Sequence, residues 1–304
     1  WIKSRSNADT HVLFDKVRGA NKRLMSSQTS AESTTSDELT AFNSDGYTLG
    51  TGDNVNRSGH NYVSWNWLAG GTGSSNGNGS ITSTVSANTT AGFSIVSYTG
   101  TGSNATVGHG LGVAPSMIIV KSRSSTDWWI CYHKTQGATK YLALNFTNAV
   151  ATNSGIWNDT EPTSSVFSIG TNGGTNGNGN NYIAYCFAEK PGYSKFGSYV
   201  GNGNADGAFV YTGFKPAFIL LKDSTGSGNN WFIWDNKRDG YNVNNKYLRP
   251  NLDNAEGYYE AIDILSNGFK NRNTSSSANG SQTYIYMAFG QSLVGSNNVP
   301  CTAR

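Results

Sequence analysis

Short runs of alternating apolar and polar residues, separated by Gly, Ser and Asn, fill this chain, and the same runs return in the same order three times. The plainest set is HVLFD at 11–15, WICYH at 129–133 and WFIWD at 231–235. Aligned on Asp15, His133 and Asp235, the preceding residue is aromatic in each (Phe14, Tyr132, Trp234), with Val12, Ile130 and Phe232 two positions before it. A two-residue period is that of a β-strand presenting one apolar face. The opposite face carries His11, Trp129 and Trp231 with Leu13, Cys131 and Ile233, so it is largely apolar too. Such strands are expected to be covered on both sides.

The neighbouring elements repeat as well. A strand ending in Lys3, Lys121 or Lys222 precedes the aromatic strand, at spacings of 118 and 101 residues. A Lys-x-Leu strand follows at Lys22, Lys140 and Lys246, then a strand at 44–49, 164–169 and 266–271. A Gly/Asn turn and a closing strand come last, with Tyr62, Tyr182 and Tyr284 as matched first aromatics. In the later two units an opening strand around Tyr98 or Tyr199 comes first, and Pro115 or Pro216 leads into the lysine strand. The first unit has no such opening strand, which predicts at least one more segment upstream of Trp1.

The expected fold class is all-β: tandem antiparallel β-sandwich repeats, three related units with the first incomplete at its N-terminus. The boundaries are 1–70 for the first unit, 71–90 for a Gly/Ser/Thr/Asn linker, 91–192 for the second unit, and 193–304 for the third with a C-terminal tail. On this reading the first unit swings on its linker or docks by other contacts, and the second and third pack closely. Residues 30–42 and 252–265 concentrate Asp, Glu, Ala and Leu and predict one or two helical turns each.

Composition supports the β reading. There are 37 Gly, and charged residues make up only 13% of the chain, so turn formers replace the best helix formers. A net charge of +3 without a basic cluster argues against a nucleic-acid partner. No apolar run reaches the roughly 18 residues that suggest a membrane-spanning helix. Cys131, Cys186 and Cys301 lack metal-ligand spacing, and the first two fall in apolar strands as buried thiols do.

The sequence offers little for catalysis. The carboxylate pairs Asp235/Asp239 and Asp37/Glu38 do not recur among the units, and no GxSxG accompanies the four histidines. His109, between glycines, reads as a turn residue. The loops at 52–54 and 204–207 are the nearest approach to a calcium site, with one carboxylate each. We therefore expect no enzyme, no cofactor and no resident metal. Residues that differ between units are the better place to look for function. Trp128, Trp157 and His133 are unmatched in this sense, and they are the expected glycan or receptor contacts.

The stretches SITSTVSANTTAGFSIVSYTGTGSNATVGHGLGVAPSMIIVKSRS (80–124), WNDTEPTSSVFSIG (157–170), YIAYCFAEKPGYSKFGSYVGNGNADGAFVYTGFKPAFILLKD (182–223) and NVPCTAR (298–304) carry a further signal. They strongly resemble a repeat domain of marine bacteriophage proteins, such as those of cyanophages. The resemblance covers nearly the whole chain and brings no catalytic residue with it. It implies a virion structural protein, a tail fibre or tail-associated appendage, that contributes to host surface recognition. A capsid-decorating head protein and a glycan depolymerase are its rivals. The partners it implies are other virion proteins, further copies in a homo-oligomer such as a trimer, and a host cell-surface glycan or receptor. Its place would be the particle surface, after assembly in the host cytoplasm.

Overall fold

The structure, a computed structural model, describes residues 1–291. It is nearly all β, with 41% strand and 4% helix, arranged in several antiparallel sheets without a barrel. The chain divides into two compact units, Trp1–Ala188 with Pro250–Ala255, and Glu189–Arg249 with the residues from Glu256 onward.

The first self-similar segment forms β1 (Ile2–Ser4), β2 (Val12–Asp15), β3 (Gly19–Met25), β4 (Ser33–Thr34), β5 (Leu39–Phe42), β6 (Tyr47–Leu49), the helical turn α1 (Asp53–Asn56) and β7 (Tyr62–Ser64). The main sheet runs β4-β3-β2-β1-β7, and β5 and β6 form a separate hairpin. The stretch 30–42, expected to give helical turns, supplies β4 and β5 instead. Its Ser/Thr-rich ends favour extended backbone, and Leu39 gains a core position from it.

The second segment comprises β8 (Ser74–Asn76), β9 (Ser83–Asn88), β10 (Phe93–Thr99), β11 (Ala105–Gly108), β12 (Met117–Ser122), β13 (Trp129–His133), β14 (Lys140–Ala143), β15 (Ala151–Thr152), α2 (Ser154–Trp157), β16 (Val166–Ile169), α3 (Gly173–Asn176) and β17 (Asn181–Phe187). An eight-stranded sheet runs β15-β14-β13-β12-β17-β10-β9-β8, with β11 and β16 as a second sheet. Residues 71–90 are therefore no free linker. They carry β8 and β9, which extend the sheet beyond β10. The reason is visible at Ile81, Ser83 and Val85: this polar stretch still buries alternate residues.

The third segment forms β18 (Ser194–Val200), β19 (Phe209–Tyr211), β20 (Pro216–Asp223), β21 (Trp231–Asp235), β22 (Ile262–Leu265), β23 (Gly268–Asn271) and β24 (Thr283–Gly290). Its sheets run β18-β24-β20-β21 and β19-β23-β22. The stretch 252–265 again yields a strand, β22, rather than helix.

Each four-stranded core of the larger sheets alternates side chains between two layers. In the second segment Val96, Tyr98, Ile118, Val120, Ile130, Tyr132, Tyr182 and Ala184 point toward Val107, Phe167 and Ile169 of the small sheet and form one core with them. In the third, Ile219, Leu221, Phe232, Trp234, Tyr284 and Tyr286 meet Val210, Ile262, Ile264 and Phe269 in the same way. The other face of β12 and its neighbours is covered by the first segment. Trp129 Nε1 donates to Met25 O at 2.9 Å, Lys121 Nζ to Thr29 O at 3.0 Å, and Tyr185 Oη to Asp15 Oδ2 at 2.8 Å. Arg123 clasps Glu32 with bonds of 2.9 and 3.0 Å. This answers the two-sided apolar pattern of the sequence.

A tyrosine of the closing strand ties down the preceding turn in all three segments. Tyr62 Oη accepts from Arg57 N–H at 2.8 Å and donates to Asp53 O at 2.6 Å. Tyr182 Oη likewise accepts from Gly177 N–H at 2.7 Å and donates to Gly173 O, and Tyr284 Oη joins Gly280 N–H and Ser276 O at 2.8 and 2.6 Å. Opening-strand tyrosines stack on the last two: Tyr98 on Tyr182 at 5.2 Å and Tyr199 on Tyr284 at 5.1 Å. Removing such a hydroxyl strands a backbone donor and acceptor. Tyr182→Phe is expected to lower unfolding stability by about 1–3 kcal/mol in urea titration, and Tyr62→Phe, whose turn is open to water, by less than about 1 kcal/mol.

Candidate functional site

The three residues expected to make contacts do not come together. Trp128 is exposed (38%), just ahead of β13, and leans on Phe146 with ring centroids 4.8 Å apart. Trp157 is not a surface residue. At 2% exposure it closes the short α2 and packs edge-on to Tyr132 in the core, because that turn aims Ile156 and Trp157 inward. His133 is buried too. It ends β13 on the face covered by the first segment, with Nδ1 at 2.9 Å from Thr135 Oγ1.

The carboxylates are occupied by structural bonds. Asp235 Oδ1 accepts from Lys237 and Arg238 N–H at 2.9 and 3.0 Å, and its Oδ2 pairs with Arg238 Nε at 2.6 Å. Burial works to raise this carboxyl, but Arg238 and the backbone donors outweigh it and hold it below its usual range. Glu256 completes the cluster at 3.1 Å from Arg238. Asp15, Arg18 and Glu32 repeat the pattern in the first segment. The sequence signal for it was an Arg three residues after the aligned Asp in two of the three segments. Glu38 pairs with Arg23 at 2.7 Å, Asp53 with Arg57 at 2.7 Å and Asp206 with Lys270 at 2.5 Å. Among the described residues no three His, Cys, Asp or Glu side chains converge as metal ligands would.

His109 is a buried turn histidine. Leu111 N–H donates to its Nδ1 at 3.2 Å, which leaves Nε2–H to donate to Thr163 O at 3.1 Å, and burial pushes its pKa down. Cys131 and Cys186 are free thiols on strands flanking β12 and on opposite faces of the sheet, too far apart in direction to bridge. Cys301 lies outside the described residues.

The surface that stands out belongs to the third segment. On its small sheet Val210, Phe269, Ile262 and Ile264 point into the core, so the alternate residues point out. These are Phe209 and Tyr211 on β19, Lys270 and Gly268 on β23, and Asp263 and Leu265 on β22. Asn244 pairs with Ile262 and adds a fourth short strand-like edge, with Asn242 side-chain bonds to Ile264 N–H and O at 2.9 and 3.0 Å. Beside this edge Val243 is 51% and Tyr241 82% exposed. Tyr258 and Tyr259, shortly before β22 in the chain, are exposed too, Tyr259 at 86%. Asp239 clamps the loop, accepting from Asn245 and Lys246 N–H at 2.8 and 2.9 Å.

The sequence contained a clue to this face. From the aligned Asp15 or His133 to the following Lys22 or Lys140 is seven residues, whereas Asp235 to Lys246 is eleven. The four-residue excess is the loop that presents Tyr241 and Val243.

A family model described as a domain of unknown function (DUF7483) matches residues 1–292. The chain belongs to the DUF7483 family. No curated protein and no solved structure matches it.

One further chemistry recurs in this DUF7483 chain. Lys3, Lys121 and Lys222 are fully buried, and their ammonium groups donate to main-chain oxygens: Lys3 to Ser4 and Asn7 O at 2.6 and 2.9 Å, Lys121 to Ser122 and Thr29 O at 3.0 Å, Lys222 to Asn229 O at 2.8 Å. Burial lowers each from 10.5 to about 8, with Asp9, Asp127 and Asp223 respectively opposing it. The unfolded chain then holds these protons to higher pH than the folded one, so the penalty of the buried charge is present below pH 8 and disappears as pH rises toward 10.5. Lys121→Met is thus expected to be less destabilising at pH 7.5 than at pH 10.5, by up to about 3 kcal/mol in urea titrations at the two values.

Proposed function

We propose that the chain consists of three copies of one antiparallel β-sandwich. We propose further that it serves as a bacteriophage tail-fibre or tail-associated virion protein whose aromatic face engages a host surface glycan or receptor. The three-copy reading rests on the strand orders β13-β12-β17-β10, β21-β20-β24-β18 and β2-β1-β7, which place corresponding sequence runs in corresponding positions. The virion reading rests on the sequence resemblance. A surface poor in charge suits it, because its contacts depend little on interactions that salt screens.

The observation that carries the binding role is the exposure of Phe209, Tyr211, Tyr241, Val243, Tyr258 and Tyr259, all in the third segment. An exposed aromatic patch rimmed by polar groups marks an interaction surface. Tyrosine combines an apolar ring with a hydroxyl, which matches the apolar faces and hydroxyl edges of a sugar. Lys270, Arg272, Asp206 and Asp263 form ion pairs beside Phe209 and supply the polar rim.

Fluorescently labelled full chain, incubated with cyanobacterial cells of marine origin, is expected to bind them. The double substitution Tyr241→Ala and Tyr259→Ala should weaken binding at least tenfold, while stability stays within about 0.5 kcal/mol as for exposed positions. Unchanged binding by that variant would sink the assignment of this face. Release of oligosaccharide from host polysaccharide would point to a depolymerase instead.

A further inference from the structure

Arg249 stands where the other two segments carry Met25 and Ala143, directly after the Leu of the Lys-x-Leu run. Leu248 pairs antiparallel with Ile233, so Arg249 falls beside Phe232 of β21. Its guanidinium carbon lies 5.0 Å from the Tyr247 ring centroid and 5.6 Å from that of Phe232, close enough for both rings to attract the charge. Arg249 Nη2 also donates to Tyr247 Oη at 3.0 Å. Tyr247 in turn is wedged against Gly257, where any side chain would strike its ring. Two rings and a hydroxyl therefore fix the arginine. Its Nε–H is left buried and without a partner.

Glu260 carries the complementary defect. Its Oε1 accepts from Ser275 Oγ at 2.9 Å, and its main-chain oxygen accepts from Trp234 Nε1 at 2.8 Å, which ties it to β21. Oε2 is buried with nothing to accept from. Burial pushes this carboxyl above its usual range, with the Ser275 bond and the charge of Arg249 opposing. Arg249 is thus within electrostatic reach, yet the two unmatched atoms do not bond to each other. Tyr247 marks the place they share: burial raises its hydroxyl, and Arg249, Glu260 and Tyr259 all act on it. Tyr259, the residue before Glu260, is 86% exposed, and Arg249 and Glu260 are themselves partly exposed with only these atoms turned in.

The chemistry that this place lacks is narrow. A guanidinium only donates and a carboxylate only accepts, whereas a hydroxyl does both. An ammonium group would serve Glu260 alone, and an anion Arg249 alone. Leaving either atom unmatched is costly, so a group that answers both at once is favoured. An exposed tyrosine ring beside them suits the apolar face of a sugar.

We infer that Arg249 and Glu260 are the polar half of a sugar subsite in the third segment, taking one hydroxyl of a neutral pyranose between Arg249 Nε and Glu260 Oε2 while the sugar ring stacks on Tyr259. The inference rests on the glycan reading of this segment and gives it a sugar class. It also assigns the selectivity to a residue, Arg249, that the other two segments do not have.

Saturation-transfer NMR titrations of the full chain with methyl α-glucoside, methyl β-galactoside and methyl α-mannoside test it. At least one of the three should bind saturably. Glu260→Gln, which keeps the shape, and Arg249→Met, which installs the residue of the first segment, should each weaken that binding at least about tenfold. If Arg249→Met proves unfolded in a urea titration, Glu260→Gln decides alone. No saturable binding by any of the three sugars would overturn the subsite, and so would binding that Glu260→Gln leaves unchanged. The labelled-cell assay separates the two ideas. Cells bound through Tyr259 with no sugar bound would sink the sugar subsite alone, whereas a sugar bound through Glu260 without binding to cells would sink the host reading alone.

Discussion

Burial of both faces of the main sheets is the constraint on which the rest of this structure depends. β12 and β13 have no solvent face: Ile118, Val120, Ile130 and Tyr132 pack inward on the small sheet, while Lys121, Trp129, Cys131 and His133 are buried on the other side. Apolar area of that extent must be covered, at roughly 25 cal/mol for each square ångström kept from water. For the second segment the first segment provides the cover. The polar groups trapped there are matched one by one: Lys121 with Thr29 O, Tyr185 with Asp15, Arg123 with Glu32. An unmatched charge in such a place would cost several kcal/mol, so the same burial that drives association also fixes its register.

Identity between the segments at matched positions follows from this constraint, and so does variation. Tyr62, Tyr182 and Tyr284, and Asn56, Asn176 and Asn279, recur because each turn needs its main-chain groups satisfied in the same geometry. The aligned Asp15, His133 and Asp235 diverge because only the first and third carry an arginine three residues later, Arg18 and Arg238. Where no packing rule applies, as in the loop holding Tyr241, the segments are free to differ in length.

Much of the architecture was legible in the sequence, since period-two runs and matched tyrosines report directly on strands and turns. The failures have physical causes. Residues 71–90 read as a linker because Ser, Thr and Gly dominate, yet Ile81 and Val85 at the right parity were enough to recruit two strands to an open sheet edge. Trp157 read as a loop aromatic because nothing in the local pattern shows which way a four-residue turn aims its side chains. His133 was suspect because it differs from Asp15 and Asp235, but a position inside a two-faced sheet can vary without becoming accessible. The exposed Tyr241 of the third segment was missed for the opposite reason: a longer loop, rather than a changed residue, presents it.

The account holds that the first and second segments fold as one cooperative body through the sheet face they share. Native-state hydrogen exchange across a urea series tests this most directly, by comparing amides of β2 with amides of β12. Equal opening free energies and equal urea slopes are the predicted result. Exchange in β2 through an opening more than about 2 kcal/mol easier than that of β12, with a smaller urea slope, would contradict it.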